Sequence, residues 1–248
     1  MRVGRSPHAQ GLDAPDAIIG SSPAFKRVLA VAEAVASNDC VVLLEGESGT
    51  GKELVARLIH GRSKRAHGPF IPVNCAGISE TLFESQLFGH IRGAFTGAIS
   101  ETLGVVRAAE GGTLLLDEVS EIPFHLQSKL LRLLQEREVI PVGGSRPMPV
   151  NVRFLAATNR WLHRMVEAGE FRADLFHRLN IVRIVLPPLR ERPDDIERLL
   201  DWYLDLHAEE YRMPRRQLGA SIRRLLRDYF QQWLYGTEKP TILPDDFS

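Results

Sequence analysis

The chain has 248 residues, 44% of them hydrophobic and 25% charged, with 31 basic side chains balanced by 31 acidic ones. This is the composition of a soluble globular protein with a sizeable core, and it is unlike that of a disordered or membrane chain. Zero net charge gives no overall attraction for nucleic acid. No apolar run approaches the roughly 20 residues of a membrane span and the first residues lack a signal-peptide core, so a cytoplasmic location and no membrane partner are expected.

Residues 1–17 are polar and broken by Gly and Pro, and read as a flexible tail. Order is expected from Ile18. Ser22 as N-cap, Pro23 at the first helical position and apolar Phe25, Val28, Leu29, Ala32 and Val35 predict an amphipathic helix. Beyond it lie the short apolar runs VVLLE, FIPVN, TLLLDE, VRFLAATN and IVRIVL, separated by helical patterns such as HLQSKLLRLLQER. Apolar runs alternating with helices predict an α/β fold, a parallel sheet covered on both faces, over 18–188. Only helical patterns follow, so 189–248 is expected to be a small helical subdomain. Cys40 and Cys75 stand in no disulfide or metal-site spacing and read as core residues.

Between the first strand and the next helix lies Gly46-Glu47-Ser48-Gly49-Thr50-Gly51-Lys52-Glu53. Glycines at these positions let backbone N–H groups turn inward around phosphate oxygens. The following helix adds its positive N-terminus, and Lys52 reaches the β- and γ-phosphates. Glu53 stands where Ser or Thr usually offers magnesium a hydroxyl, so metal binding must lean on other groups. The run GGTLLLDEV supplies them at a strand end: Asp117 as the Mg2+ partner and Glu118 as general base for the attacking water. ATP and Mg2+ are therefore the expected ligands.

A second feature is the glycine-broken stretch Gly93-Ala94-Phe95-Thr96-Gly97-Ala98, within LFGHIRGAFTGAISETLG. With GESGTGKE, GAFTGA, GGTLLLDE and FRADLFHRL in this order, the chain resembles the AAA+ ATPase domain of bacterial enhancer-binding proteins, the activators of sigma-54 RNA polymerase. The likeness runs from IIGSSPAF through LPPLRERPDDI. Glu53 is also what that family carries.

The resemblance implies roles for further residues. Asn74 matches the switch asparagine that holds Glu118 away from water until the nucleotide state permits attack; without the family it reads as a strand-end Asn satisfying a turn. Thr158 and Asn159 match the sensor of the γ-phosphate. Arg172 and Arg178 match arginine fingers that reach a neighbouring subunit's nucleotide, which implies a ring, a hexamer in the family; without that context they read as surface arginines pairing with Asp174 or nearby acids. Gly93 to Ala98 become the sigma-54 contact, with Phe95 as apolar tip and Thr96 as hydrogen-bonding handle.

Some positions depart from the family. Its lid motif, Pro-Gly-Asn-Val-Arg-Glu-Leu, has only Gly219-Ala220-Ser221-Ile222-Arg223-Arg224-Leu225 as its nearest match, after a shortened segment, so Arg223 is the candidate second sensor. Ile91 replaces the usual acidic residue, and Val106-Arg107 replace Phe-Glu. Arg212, Arg215, Arg216, Arg223, Arg224 and Arg227 lie among Glu209, Glu210 and Asp228 and read as a solvated helical face. No helix-turn-helix is recognisable. The expected function is ATP-driven remodelling of the closed sigma-54 polymerase complex. The alternative is a nucleotide-binding regulatory module, or one subunit of a hetero-oligomer, with impaired ATPase.

Overall fold

A computed structural model describes residues 17–76, 80–215 and 217–232, with side chains of 80, 81 and 227–232 excepted. Nearly all of the expected tail, Arg216 and the side chains of Arg227 and Asp228 thus lie outside the described residues. The chain divides into two compact units, one of 28–186 and one joining the segment up to Arg27 with the chain from Pro187 onward.

The larger unit is built on strands β1 (Val42–Glu45), β2 (Phe70–Asn74), β3 (Thr113–Asp117), β6 (Arg153–Thr158) and β7 (Val182–Val185), in spatial order β2-β3-β6-β1-β7. Every pairing in this sheet is parallel. The apolar runs explain the order: β1 and β6 are buried along their whole length and β3 for four of its five residues, as strands covered on both faces must be. The edge strands β2 and β7 are only partly buried. Two further strands, β4 (Glu138–Val139) and β5 (Met148–Pro149), form an antiparallel ribbon too short to register as a sequence pattern.

Helices α1 (Pro23–Ala36), α2 (Lys52–Gly61), α3 (Glu80–Phe88), α4 (Val105–Ala108), α5 (Phe124–Glu136), α6 (Leu162–Glu167) and α7 (Ala173–Leu179) accompany the strands. Leu126, Leu130, Leu133 and Leu134 recur at helical spacing along α5 and are buried in one core with Leu114, Leu116 and Phe154 of the sheet. Each such side chain contributes about 1.5–3 kcal/mol by leaving water. Arg153 is the polar exception: fully buried, it donates to the carbonyls of Ala36 and Val35 at 2.7 and 2.9 Å and so closes the C-terminus of α1.

In the smaller unit, Ser22 caps α1 as expected, accepting the Phe25 N–H at 3.3 Å. Its hydroxyl donates in turn to Asp195, which also accepts the backbone N–H groups of Ser21 and Ser22 at 2.6 and 2.9 Å. Asp195 belongs to α8 (Pro193–Glu210), which α9 (Ala220–Gln232) follows. Two arginines of this unit are tied to α8: Arg215 pairs with Asp201 and Asp205, and Arg223 pairs with Asp201 at 2.7 Å. These intra-unit pairs fit the solvated-face reading, with partners other than the acids nearest in sequence.

Candidate functional site

The register of the parallel strands brings their carboxyl ends into one row, since Asn74 lies beside Asp117 and Glu45 beside Thr158. In an open α/β sheet this edge, where the strand order switches, is where ligands bind. The glycine-rich segment leaves β1 at this row. Gly46 N–H donates to Thr158 O at 3.1 Å, and a Cβ at Gly46 would lie 2.9 Å from the Leu186 carbonyl oxygen, so no side chain fits there. Gly51, at φ +95°, is the left-handed residue that starts α2. Between them, Thr50 closes a tight turn, its N–H and hydroxyl both donating to Glu47 O, while Ser48 and Gly49 are exposed at the tip.

Lys52 is buried at the first position of α2. Its ammonium donates to Gly46 O at 2.8 Å and Glu47 O at 3.2 Å and stands 3.8 Å from the Glu118 carboxylate. Glu53, next to it, faces solvent and pairs with Arg57 at 2.6 Å. A carboxylate in a helix's first turn also complements the macrodipole.

Asp117 ends β3 and accepts the Glu118 N–H at 3.0 Å. Glu118 adopts φ +53° and ψ +49°, a left-handed conformation uncommon for a residue with a side chain. Its second carboxylate oxygen accepts the backbone N–H of Asn159 at 3.0 Å. One carboxylate is thus shared between a cation from the glycine-rich loop and an amide at the end of β6. Cys75, just beyond β2, is buried; desolvation, reinforced by Asp117 and Glu118, pushes its thiol far up and keeps it unreactive, as a core residue should be.

The hold on Glu118 differs from the one implied for Asn74. The Asn74 carboxamide oxygen accepts the Ala76 N–H at 2.8 Å, the turn-closing alternative, and the register sets Asn74 beside Asp117 rather than Glu118. Thr158 is fully buried and spends its hydroxyl on the turn after β6, accepting Arg160 N–H at 3.0 Å. Asn159 takes part through its main chain.

Arg172 is the residue before α7 and Arg178 lies in its last turn, both within this unit. Arg172 pairs with Asp174 at 2.8 Å, as its plain reading anticipates. Arg178 instead donates to Leu134 O, through Nη2 at 3.0 Å and Nε at 3.3 Å, and so satisfies a carbonyl in the last turn of α5. Arg223 belongs to the other unit and is held by Asp201 and the Leu218 carbonyl.

The stretch from Gly93 to Ala98 is a tight loop closed by Gly93 N–H to Ala98 O at 2.9 Å and Ala98 N–H to Phe95 O at 3.0 Å. Its root is His90, bridged to Thr102 on one side and to Val142, beyond β4, on the other. Phe95 is not an outstretched tip: it is half-buried, its ring 5.0 Å edge-on from His90, whose Nδ1 lies 2.7 Å from the Ser85 hydroxyl. Thr96 is exposed as expected, and the bare apolar side chain is Ile99, 83% exposed. No local pattern in the sequence distinguishes Ile99; only the folded turn leaves it uncovered.

A family model described as the sigma-54 interaction domain matches residues 18–185. Among relatives, the transcriptional regulatory protein FlbD of Caulobacter vibrioides is 50% identical over 82% of this chain and 45% of its own length. A Nif-specific regulatory protein of Rhodobacter capsulatus is 57% identical over 77% of this chain and 33% of its own. The chain therefore spans less than half the length of either relative. A solved structure of NtrX from Brucella abortus in complex with ATP superposes with a TM-score of 0.79 at 33% identity, covering 94% of this chain and 54% of that one. Strand order, glycine-rich loop and family match agree: the chain belongs to the sigma-54 interaction domain family, carried on the AAA+ P-loop NTPase fold.

Proposed function

We propose that this chain hydrolyses ATP at the carboxyl edge of its sheet and uses the loop from Gly93 to Ala98 to remodel the closed sigma-54 RNA polymerase complex. The observation that carries the reading is the convergence of Lys52 and Glu118 at 3.8 Å, with Asp117 at the same strand end. Lys52, the N–H groups of the Ser48-Gly49 tip and those at the start of α2 take the phosphates, the Gly46 and Thr50 N–H groups being engaged by Thr158 O and Glu47 O; Glu118, fixed by the Asn159 N–H, accepts the proton of the attacking water. Among the described residues no group of three or more His, Cys, Asp or Glu could hold a metal unaided. The donors present fit a magnesium ion bound by Asp117 together with the nucleotide's own phosphates, where it would neutralise charge on the transferred group. NtrX, complexed with ATP in a solved structure, supports nucleotide binding in the same fold.

In this reading Arg172 and Arg178 serve a neighbouring subunit's nucleotide in a homo-oligomeric ring, of six by family resemblance. The two differ in what they must release. Arg172 exchanges an exposed ion pair, whereas Arg178 must leave a helix carbonyl that two of its N–H groups satisfy. Asn74, with Asp117 as its strand neighbour, has to abandon its turn to reach Glu118 if it serves as the switch asparagine that the resemblance implies. Arg223, the candidate second sensor, is engaged by Asp201 within the helical unit.

Steady-state ATP hydrolysis measured across protein concentration tests this. Specific activity rising with concentration, and lost in Lys52→Ala, is expected of fingers acting between subunits. Binding without turnover would favour the regulatory-module alternative. The Thr96→Ala variant should keep at least about half of its ATPase while losing sigma-54-dependent transcription, because Thr96 is exposed on the loop and touches none of the groups above. Parallel loss of both activities would assign the loop to the fold instead.

A further inference from the structure

Glu45 is the last residue of β1, immediately before the glycine-rich loop, and its carboxylate is 2% exposed. A buried carboxylate is costly unless paired, and two partners meet it. Arg183 of β7, which β1 pairs in register at Leu43, donates through Nε to one oxygen. The other oxygen accepts the backbone N–H of Leu162, the first residue of α6, at 3.4 Å. The guanidinium of Arg183 also lies over the Trp161 ring, 5.4 Å from its centroid. Glu45 and Arg183 therefore grip the chain at Trp161 and Leu162 from two sides. Only Asn159 and Arg160 separate this grip from the buried end of β6, and the first of them gives the N–H that holds Glu118.

We propose that Glu45 is a positioning residue: with Arg183 and Trp161 it fixes the segment 159–162, and through the Asn159 N–H it sets where the Glu118 carboxylate stands relative to Lys52. The same residue feeds its main chain into the sheet, Glu45 O accepting Leu186 N–H at 2.7 Å and the adjacent Gly46 N–H donating to Thr158 O. One residue thus ties the start of the phosphate loop to the amide that orients the base. The inference rests on the ATPase reading for its catalytic consequence, but its structural content does not.

The test uses the whole chain with Glu45→Met and Arg183→Met combined, since removing the buried Glu45 carboxylate together with its half-exposed partner Arg183 leaves no unpaired charge behind. Three quantities are read: the melting temperature, amide hydrogen exchange at Asn159 and Leu162, and kcat and KM for ATP. A melting temperature near that of the parent is expected, with exchange at both amides about tenfold faster. The kcat should fall about tenfold to a hundredfold while KM stays within about threefold, the signature of a misplaced base with binding intact. A folded double variant with unchanged exchange and unchanged kcat overturns the proposal. Should it fail to fold, Glu45→Gln, which keeps the acceptor for Leu162 but not the charge, should show the same pattern at smaller size; unchanged exchange and kcat there overturns it equally. If the unaltered chain shows no hydrolysis above Lys52→Ala, the ATPase reading fails, and faster exchange at Asn159 still separates that failure from failure of the positioning claim.

Discussion

The carboxyl edge of the sheet and the loop rooted at His90 belong to the same compact unit, yet they are held by different means. The edge is the end of strands buried along their length, so Asp117, Thr158 and Gly46 inherit positions fixed by the core. The loop is rooted at Gly89 to Ile91, through main-chain hydrogen bonds with Thr102 and Val142, and is held beyond that by a ring contact between His90 and Phe95. Phosphate chemistry requires groups held within fractions of an ångström, which a packed sheet provides. On the proposed reading the loop presents itself to a partner, which needs a firm root and few contacts beyond it.

That contrast is broken most directly from the core. Leu115 is fully buried in β3, two residues before Asp117. Leu115→Ala should cost about 2–5 kcal/mol of stability. It should be read as a lower midpoint in urea, with nucleotide binding weakened in proportion. A midpoint unchanged within error would mean that the edge does not take its rigidity from the strand beneath it. The root of the loop should respond differently. Gly143 has φ +78°, and a Cβ there would lie 2.8 Å from the Ala94 Cβ. Gly143→Ala should cost about 1 kcal/mol globally but displace Ala94 locally. Tryptic cleavage after the exposed Arg92 should therefore rise severalfold while the melting temperature moves little. Equal cleavage in both proteins would show that the segment around Gly143 does not restrain the loop.

The edge was largely legible in the sequence because its signals are local. Fully apolar runs report strands covered on both faces, and Gly46 through Lys52 report a loop that only glycine can form. What escaped depends on contacts between distant residues. Nothing near His90 announces that Val142 will bridge it, and a two-residue ribbon has no periodicity to detect. Phe95 reads as a bare tip until His90 is found beside it. Arg178 has the composition of a surface cation, but only the packing of α7 on α5 brings it to the Leu134 carbonyl. The segment of Ser21 and Ser22 reads as the entry to the α/β body, whereas Asp195 claims it for the helical unit.

The smallest expected effect concerns the support behind the phosphate loop. His60 lies on α2, its Nδ1 2.9 Å from the Thr113 hydroxyl and its ring 5.3 Å from that of Phe70. Burial lowers its pKa below the ordinary 6.5, and the positive charges of Arg153 and Arg57 act in the same direction. A value lower in the folded than in the unfolded chain means that stability is fully present above about 6.5. Below that pH the unfolded chain takes up a proton that the folded one refuses, and stability declines until the folded histidine protonates too. Melting temperatures from pH 7.5 downward should therefore fall more steeply for the parent than for His60→Gln, which has no proton to gain. Because α2 starts at Lys52, the same decline should appear in nucleotide protection. Curves that fall in parallel would remove His60 as the cause and leave the stiffness of this edge to the strands alone.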